Sequence, residues 1–238
     1  MFSNFDSDKE QPLTMMKNIL LALLSICFFG CSNFGSKESF EGVLTYKVIV
    51  TPKIDDPRIS KILSERNGNL VRIHLLADGS FRKEHVNSGA SGFEYLYFDS
   101  KESKLYAKFR SKDTLLVSKT VENTIMFESQ KDLPKQKVFG TDCPGYRIDA
   151  FDPINAQKIA LTYYFPENKE YVDPKNYAYY KDFFYDLIVA KAKAPYYKSI
   201  LDSNLFTITY EIVKIEAKKL DKKSIGVPAN APTKIQIN

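Results

Sequence analysis

The sequence predicts a mainly β (α+β) fold: a curved antiparallel sheet or half-barrel, with one main helix at about 174–194 ahead of a last long strand. Three observations predict it. The 238 residues include 15 Tyr and 17 Phe but no Trp, and such rings favour half-buried pleated surfaces. Turn signals recur about every 8–12 residues between short β-branched and aromatic runs. A single stretch, opened by Asp173-Pro174 and ended before Pro195, keeps a helical rhythm through Tyr177, Tyr180, Phe184 and Leu187. With 44% hydrophobic and 26% charged residues, the composition is that of a chain able to bury a core.

Along the chain, Phe40 to Thr51 is the first strand, with Leu44, Tyr46, Val48 and Val50 alternating against more polar positions. Asp56-Pro57 opens a short helix, Arg58 to Glu65, with Asp as cap and Pro at its first position. Leu70 to Ala77 and Ser80 to Val86 flank Asp78-Gly79, a hairpin signal. Phe93 to Phe98, Lys104 to Phe109 and Thr114 to Lys119 follow as strands separated by polar turns. Ile125 to Glu128 and Lys135 to Phe139 are weaker strand signals, whereas Tyr146 to Ala150 and Lys158 to Phe165 are clear. In the last strand, Leu205 to Ala217, the apolar set Phe206, Ile208, Tyr210 and Ile212 shifts phase to Val213 and Ile215, which predicts a bulge.

The N-terminus carries an address. Ile19 to Phe29 is apolar apart from Ser25. It is too short for a membrane-spanning helix, which needs about 20 residues, and fits the core of a signal peptide behind Lys17. Residues 1–14 are acidic and unlike the start of such a signal, so Met15 or Met16 is the expected true start. Phe28-Phe29-Gly30-Cys31 resembles the lipobox of bacterial lipoproteins; Gly30 and Cys31 match it, and the two Phe depart from its commonest residues. The resemblance implies cleavage before Cys31, lipidation of the Cys31 sulfur, and a membrane as partner through that lipid. The expected organisation is a signal peptide at 1–30, a lipidated tether at 31–39 and a single β-rich domain at 40–238. Ser32, standing where Asp would retain a lipoprotein at the inner membrane, implies an outer-membrane lipoprotein, periplasmic or surface-facing.

No catalytic constellation is present, and an enzyme is not expected. The chain lacks a nucleophile elbow, a Gly-rich phosphate loop and a His-Glu-x-x-His motif. His74 and His85 flank the Asp78-Gly79 turn and read as solvated strand residues, too few for a zinc site. Cys143, with no disulfide partner once the signal is cut, reads as a small buried hydrophobe. Asp142 beside it would raise its pKa, and Pro144-Gly145 signals a turn. Asp182 and Asp186 read as a solvated helix face. No metal and no cofactor are expected. Residues 1–30 hold Lys9 and Lys17 against Asp6, Asp8 and Glu10, so the remainder is one charge more basic than the whole chain's +5. That excess is spread along the chain without a basic stripe, so nucleic acid is excluded as a partner.

The aromatic density carries the functional reading. Phe93, Tyr95 and Tyr97 alternate onto one strand face, and Leu96 and Phe98 onto the other, so both faces are expected to be covered. Tyr177, Tyr179, Tyr180, Phe183, Phe184 and Tyr185 ring the helix. They suit a helix lying in the mouth of a curved sheet, or an apolar cavity between the two. The cavity would bind a hydrophobic ligand, a lipid or acyl chain, through Phe93, Tyr95, Tyr97, Tyr180 and Phe184. The alternative is a structural or interaction subunit that packs an exposed aromatic face on an envelope protein partner.

Four segments, Phe40-Glu-Gly-Val-Leu-Thr-Tyr46, Val138 to Ile148, Ala160 to Phe165 and Ile215 to Pro228, together resemble a family of uncharacterised envelope lipoproteins with a LolA/LolB-like fold. The resemblance implies an incomplete antiparallel barrel closed by helices, and an envelope compartment. It brings no catalytic residues. Ile225 stands where the family tends to have Phe.

Overall fold

The computed structural model describes residues 38–235. Cys31 and the signal segment lie outside them. Twelve strands form one open, curved sheet that does not close into a barrel. In chain order they are β1 (Gly42–Pro52), β2 (Leu70–Leu75), β3 (Phe81–Val86), β4 (Phe93–Asp99), β5 (Lys104–Phe109), β6 (Leu115–Lys119), β7 (Met126–Val138), β8 (Thr141–Asp152), β9 (Gln157–Tyr164), β10 (Lys198–Ser203), β11 (Phe206–Ala217) and β12 (Thr233–Ile235). Across the sheet the order is β12-β6-β5-β4-β3-β2-β1-β11-β10-β9-β8-β7. β12 joins β6 in parallel; the other pairings are antiparallel. Helices are α1 (Pro57–Asn67), α2 (Tyr185–Ala192) and α3 (Lys222–Ile225), with two 3-10 turns at Pro174–Tyr177 and Asp182–Phe184.

The connection between β6 and β7 shows how strongly the sheet curls. β7 is one edge of the sheet, and β6 is separated from the other edge only by β12. Residues 120–125 alone join them, and such a length of chain spans at most about 25 Å. Ten strand intervals laid flat would need about twice that.

Local chemistry explains most elements. Asp56 caps α1, its carboxylate accepting from the Arg58 backbone N–H at 2.9 Å, and Pro57 is the first helical residue. The β2–β3 hairpin closes through Leu76 and Ser80, with the Gly79 N–H donating to the Leu76 carbonyl. Gly79 has φ +84°, the left-handed position that three-residue hairpin loops reserve for glycine. In β11, Thr45 pairs with Lys214 and Tyr46 with Ile212. Val213 is therefore the extra, bulged residue, as the phase shift predicts.

Four expectations need correction. The helix foreseen over about 174–194 is broken into the two 3-10 turns and α2. Thr120 competes for its backbone: the Lys181 N–H donates to the Thr120 carbonyl, and the Thr120 hydroxyl donates to the Tyr179 carbonyl. Pro144-Gly145 lies inside β8 rather than in a turn. Pro144, which has no N–H to give, stands at an irregularity opposite β7. At Gly145 an added Cβ would meet the Tyr164 ring at 2.7 Å. β10 occupies a stretch where no strand is expected. The weak signals at Ile125–Glu128 and Lys135–Phe139 are parts of one bulged edge strand, β7.

Candidate binding site

One face of the sheet is covered by the segment from Pro174 to Ala192. Register fixes which residues look that way. Across β2, β3 and β4, Leu75, Phe81 and Phe98 form one cross-strand row, and Ile73, Lys83 and Leu96 form the next. On β1 and β11 the same face carries Tyr46, Val48 and Val50 opposite Ile212, Tyr210 and Ile208.

Two aromatic seats hold the segment on the sheet. At the first, Tyr180 stacks on Phe98, ring centroids 4.5 Å apart at 21°. Phe81 lies 5.8 Å from Tyr180, and Tyr185 lies 5.1 Å from it. At the second, Phe184 and Ile188 enter a cluster with Tyr146, Ile148, Leu161 and Tyr163. Phe127 of the edge strand meets the Phe184 ring edge-on at 5.7 Å. At the entry to the second seat the backbone takes a left-handed conformation at both Phe183 (φ 50°) and Phe184 (φ 57°). A non-glycine residue held there costs about 1–2 kcal/mol. The break is thus a strained joint, across which Tyr185 packs back on Tyr180.

A group of tyrosines fills the middle of the covered face. The Tyr46 hydroxyl donates to the Tyr196 carbonyl at 2.8 Å. Tyr196 lies 5.1 Å from Tyr46 and 5.8 Å from Tyr163. Burial pushes the hydroxyls of Tyr46, Tyr163, Tyr180, Tyr185, Tyr196 and Tyr210 above their ordinary pKa. Several of the rings on this face are still half-buried, among them Tyr185, Tyr196 and Tyr210, as are Ile73, Leu96, Leu201 and Phe206. The helical segment covers this face without sealing it.

Lys83 projects into that group. Its ammonium sits 4.1 Å from the centre of the Tyr210 ring. β2 and β1 separate the two parent strands. On a flat sheet three strand intervals are about 14 Å, so the contact exists because the sheet curls around the interior. Burial lowers the Lys83 pKa, with Tyr196 acting in the opposite sense. Lys83 is half-buried, so its ammonium keeps part of its water, and the ring contact adds about 0.5–1 kcal/mol. No carboxylate among the described residues pairs with Lys83.

The residues expected to line a ligand site do not all meet. Tyr180 and Phe184 lie under the covered face, at the two seats. Tyr95 and Tyr97 look out of the opposite face, in a cluster with Leu115 beneath Val227 and Ala231 of the C-terminal segment. Arg82 lies over Tyr95 at 3.7 Å. Phe93 does not share their face, because the β4–β5 register shifts between Phe93 and Tyr95. It packs beside His85 at 5.4 Å and Phe109 at 4.6 Å. Sequence reasoning missed Phe81, Lys83, Tyr163, Tyr196 and Tyr210. Phe98 was visible as an apolar position, but alternation alone does not say which face is the inner one.

The other titratable groups singled out by the sequence are buried or paired. His85 is buried rather than solvated. Its Nδ1 is 2.9 Å from the Asn67 carbonyl, and burial pushes its pKa down to about 3. His74 faces the other side and pairs with Glu84 at 3.2 Å. Cys143 is buried, and desolvation pushes its thiol up to about 11, which makes it inert at neutral pH. Asp182 and Asp186 do not form a solvated face. Burial raises Asp182 to about 6, and Asp186 is paired with Lys181 at 2.5 Å. Among the described residues no group of three His, Cys, Asp or Glu could hold a metal. A surface cleft of about 390 Å³ is lined by Lys53, Arg147 and Lys158 against Glu128, Asp149 and Asp202. Its charges neutralise one another, Lys53 with Asp202 at 2.6 Å and Arg147 with Asp149 at 2.7 Å.

No protein-family model matches the chain, and no curated protein matches it. Among solved structures the chain is similar to the lipoprotein LppX of Mycobacterium tuberculosis, at 8% identity and a TM-score of 0.36, over 86% of this chain and 98% of that one. A likeness that distant carries no argument. The geometry of this chain has to carry the reading by itself. No helix among the described residues is long and apolar enough to cross a membrane.

Proposed function

We propose that this is a lipid-anchored envelope protein without catalytic activity, which takes a hydrophobic chain, a lipid or acyl tail, between the curved sheet and the helical segment. The observation that carries the reading is the covered face itself. It is walled by aromatic rings, and it is covered by a segment that is broken at Phe183-Phe184 and seated by ring contacts. Such a segment can lift at its joint once the Tyr180–Tyr185 contact and the Lys181–Asp186 pair that bridge it give way. Apolar surface thereby uncovered would be covered again by an acyl chain, at about 25 cal/mol per Å².

The lipid anchor belongs to the same proposal, with Cys31 as its attachment point and the outer membrane as its site. Cys31→Ser should abolish lipid labelling and release the protein from membranes; retention on the membrane would refute the anchor. For the ligand, native mass spectrometry of the Cys31→Ser chain, purified without detergent, should show an excess mass that denaturation releases. A bare mass, with no uptake of added monoolein, would refute the reading.

A second reading, a structural or interaction subunit, is favoured by one observation. Tyr179 (65% exposed), Phe183 (38%) and Leu187 (41%) stand out from the same segment. A partner lost on changing Tyr179 and Leu187 to Ser, with lipid uptake absent throughout, would move the assignment there.

A further inference from the structure

Lys83 is a cation in a place that the fold gives no reason to charge. It stands mid-strand on the covered face, between Ile73 of β2 and Leu96 of β4, both apolar. Its ammonium rests on the Tyr210 ring and lies near Tyr196. A ring face attracts a cation but does not neutralise it. The nearby His85 is buried and adds no compensating negative charge.

The hydroxyl-bearing neighbours extend the pattern. Ser199 is buried on β10 directly opposite Tyr210. The Tyr210 hydroxyl reaches the Asn67 side-chain oxygen only at 3.5 Å, a long contact that leaves it free to reorient. One ammonium resting on the Tyr210 ring and interacting with Tyr196, set into an aromatic wall, is complementary to a small anionic group attached to an apolar chain. A cation held over an aromatic ring is available to such an anion without giving up the ring contact.

We propose that Lys83, with Tyr196 and Tyr210, is the seat for the carboxylate head of a single-chain fatty acid whose tail lies along the aromatic face. This deepens the proposed function and rests on it: the site is the same, and the head group is now specified. The Coulomb partner missing from the protein is supplied by the ligand.

The test titrates the Cys31→Ser full chain with oleate and, separately, with monoolein, which has the same chain and an uncharged head. The expected result is oleate bound about tenfold tighter than monoolein, equal to about 1.4 kcal/mol. Lys83→Met should remove that preference, read as the ratio of the oleate and monoolein affinities in the same variant, and Lys83→Arg should retain it. Should Lys83→Met fail to fold, oleate labelled with carbon-13 at its carboxyl gives the same answer on the unaltered residue. The bound carboxyl is expected to titrate below the free fatty acid. Equal affinity for both lipids, or an oleate affinity untouched by Lys83→Met, would overturn the carboxylate seat while leaving the hydrophobic site standing. Binding of neither lipid would overturn both.

Discussion

The rings of Phe98 and Tyr180 stack at 4.5 Å, and through that contact the sheet holds the segment that covers it. Phe98 is almost fully buried, as is Tyr180. Phe98→Ala should therefore cost about 3–5 kcal/mol in a denaturant melt. A double-mutant cycle with Tyr180→Ala should return a coupling of about 0.5–1.5 kcal/mol. Strict additivity would mean that the segment is held elsewhere.

His85 gives the fold an acid-sensitive point. Unfolded, the imidazole takes a proton near 6.5; folded, it resists until about 3. The unfolded chain thus binds more protons across that window, and stability contributed by the neutral ring is lost as pH falls from 6.5 toward 3. The slope from this residue approaches about 1.4 kcal/mol per pH unit. His85→Asn, whose amide can still donate to the Asn67 carbonyl, should flatten the Tm profile between pH 6 and 4. An unchanged slope would show that the ring is not the group titrating.

Asp182 works in the opposite direction. Its folded pKa of about 6 stands above the ordinary 3.8. The folded state therefore holds a proton more tightly in that interval. The stability this gives is present below about 4 and is lost as pH rises through 6. Asp182→Asn should raise stability at pH 7.5 by about 1–2 kcal/mol and change little at pH 3.5. A loss at pH 7.5 would mean that the charged carboxylate has an attractive partner.

The joint in the helical segment separates strain from packing. Phe183 is largely outside the core, and Phe184 is buried, yet both are left-handed. Phe183→Gly should leave Tm nearly unchanged or raised, since glycine accepts that backbone without strain. Phe184→Ala should cost about 3 kcal/mol or more through the emptied seat. Equal losses at both positions, read by thermal melts, would contradict the strained-joint description.

The sequence made local decisions legible and long-range ones illegible. The Asp56-Pro57 cap, the Asp78-Gly79 hairpin and the Val213 bulge all follow from residues within a few positions of each other, and all three are present. The interruption of the helix after Tyr177 was not readable, because Thr120, far away in the chain, captures the backbone at Tyr179 and Lys181. Phe93 was placed with Tyr95 and Tyr97 because alternation assumes an unbroken strand, and a register shift between Phe93 and Tyr95 reverses it. Nothing in the sequence around Lys83 marks it apart from the other strand lysines. Only the curl of the sheet brings it to Tyr210.

The central claim is that an acyl chain enters beneath the helical segment. The chain contains no Trp, so a single Tyr185→Trp in the Cys31→Ser protein reports from the inner side of that segment, and Tyr106→Trp reports from the outer face of the sheet. A dibrominated stearate quenches indole fluorescence on contact. The account predicts strong, saturable quenching at position 185 and little at 106. No quenching at 185, or equal quenching at both, would contradict it.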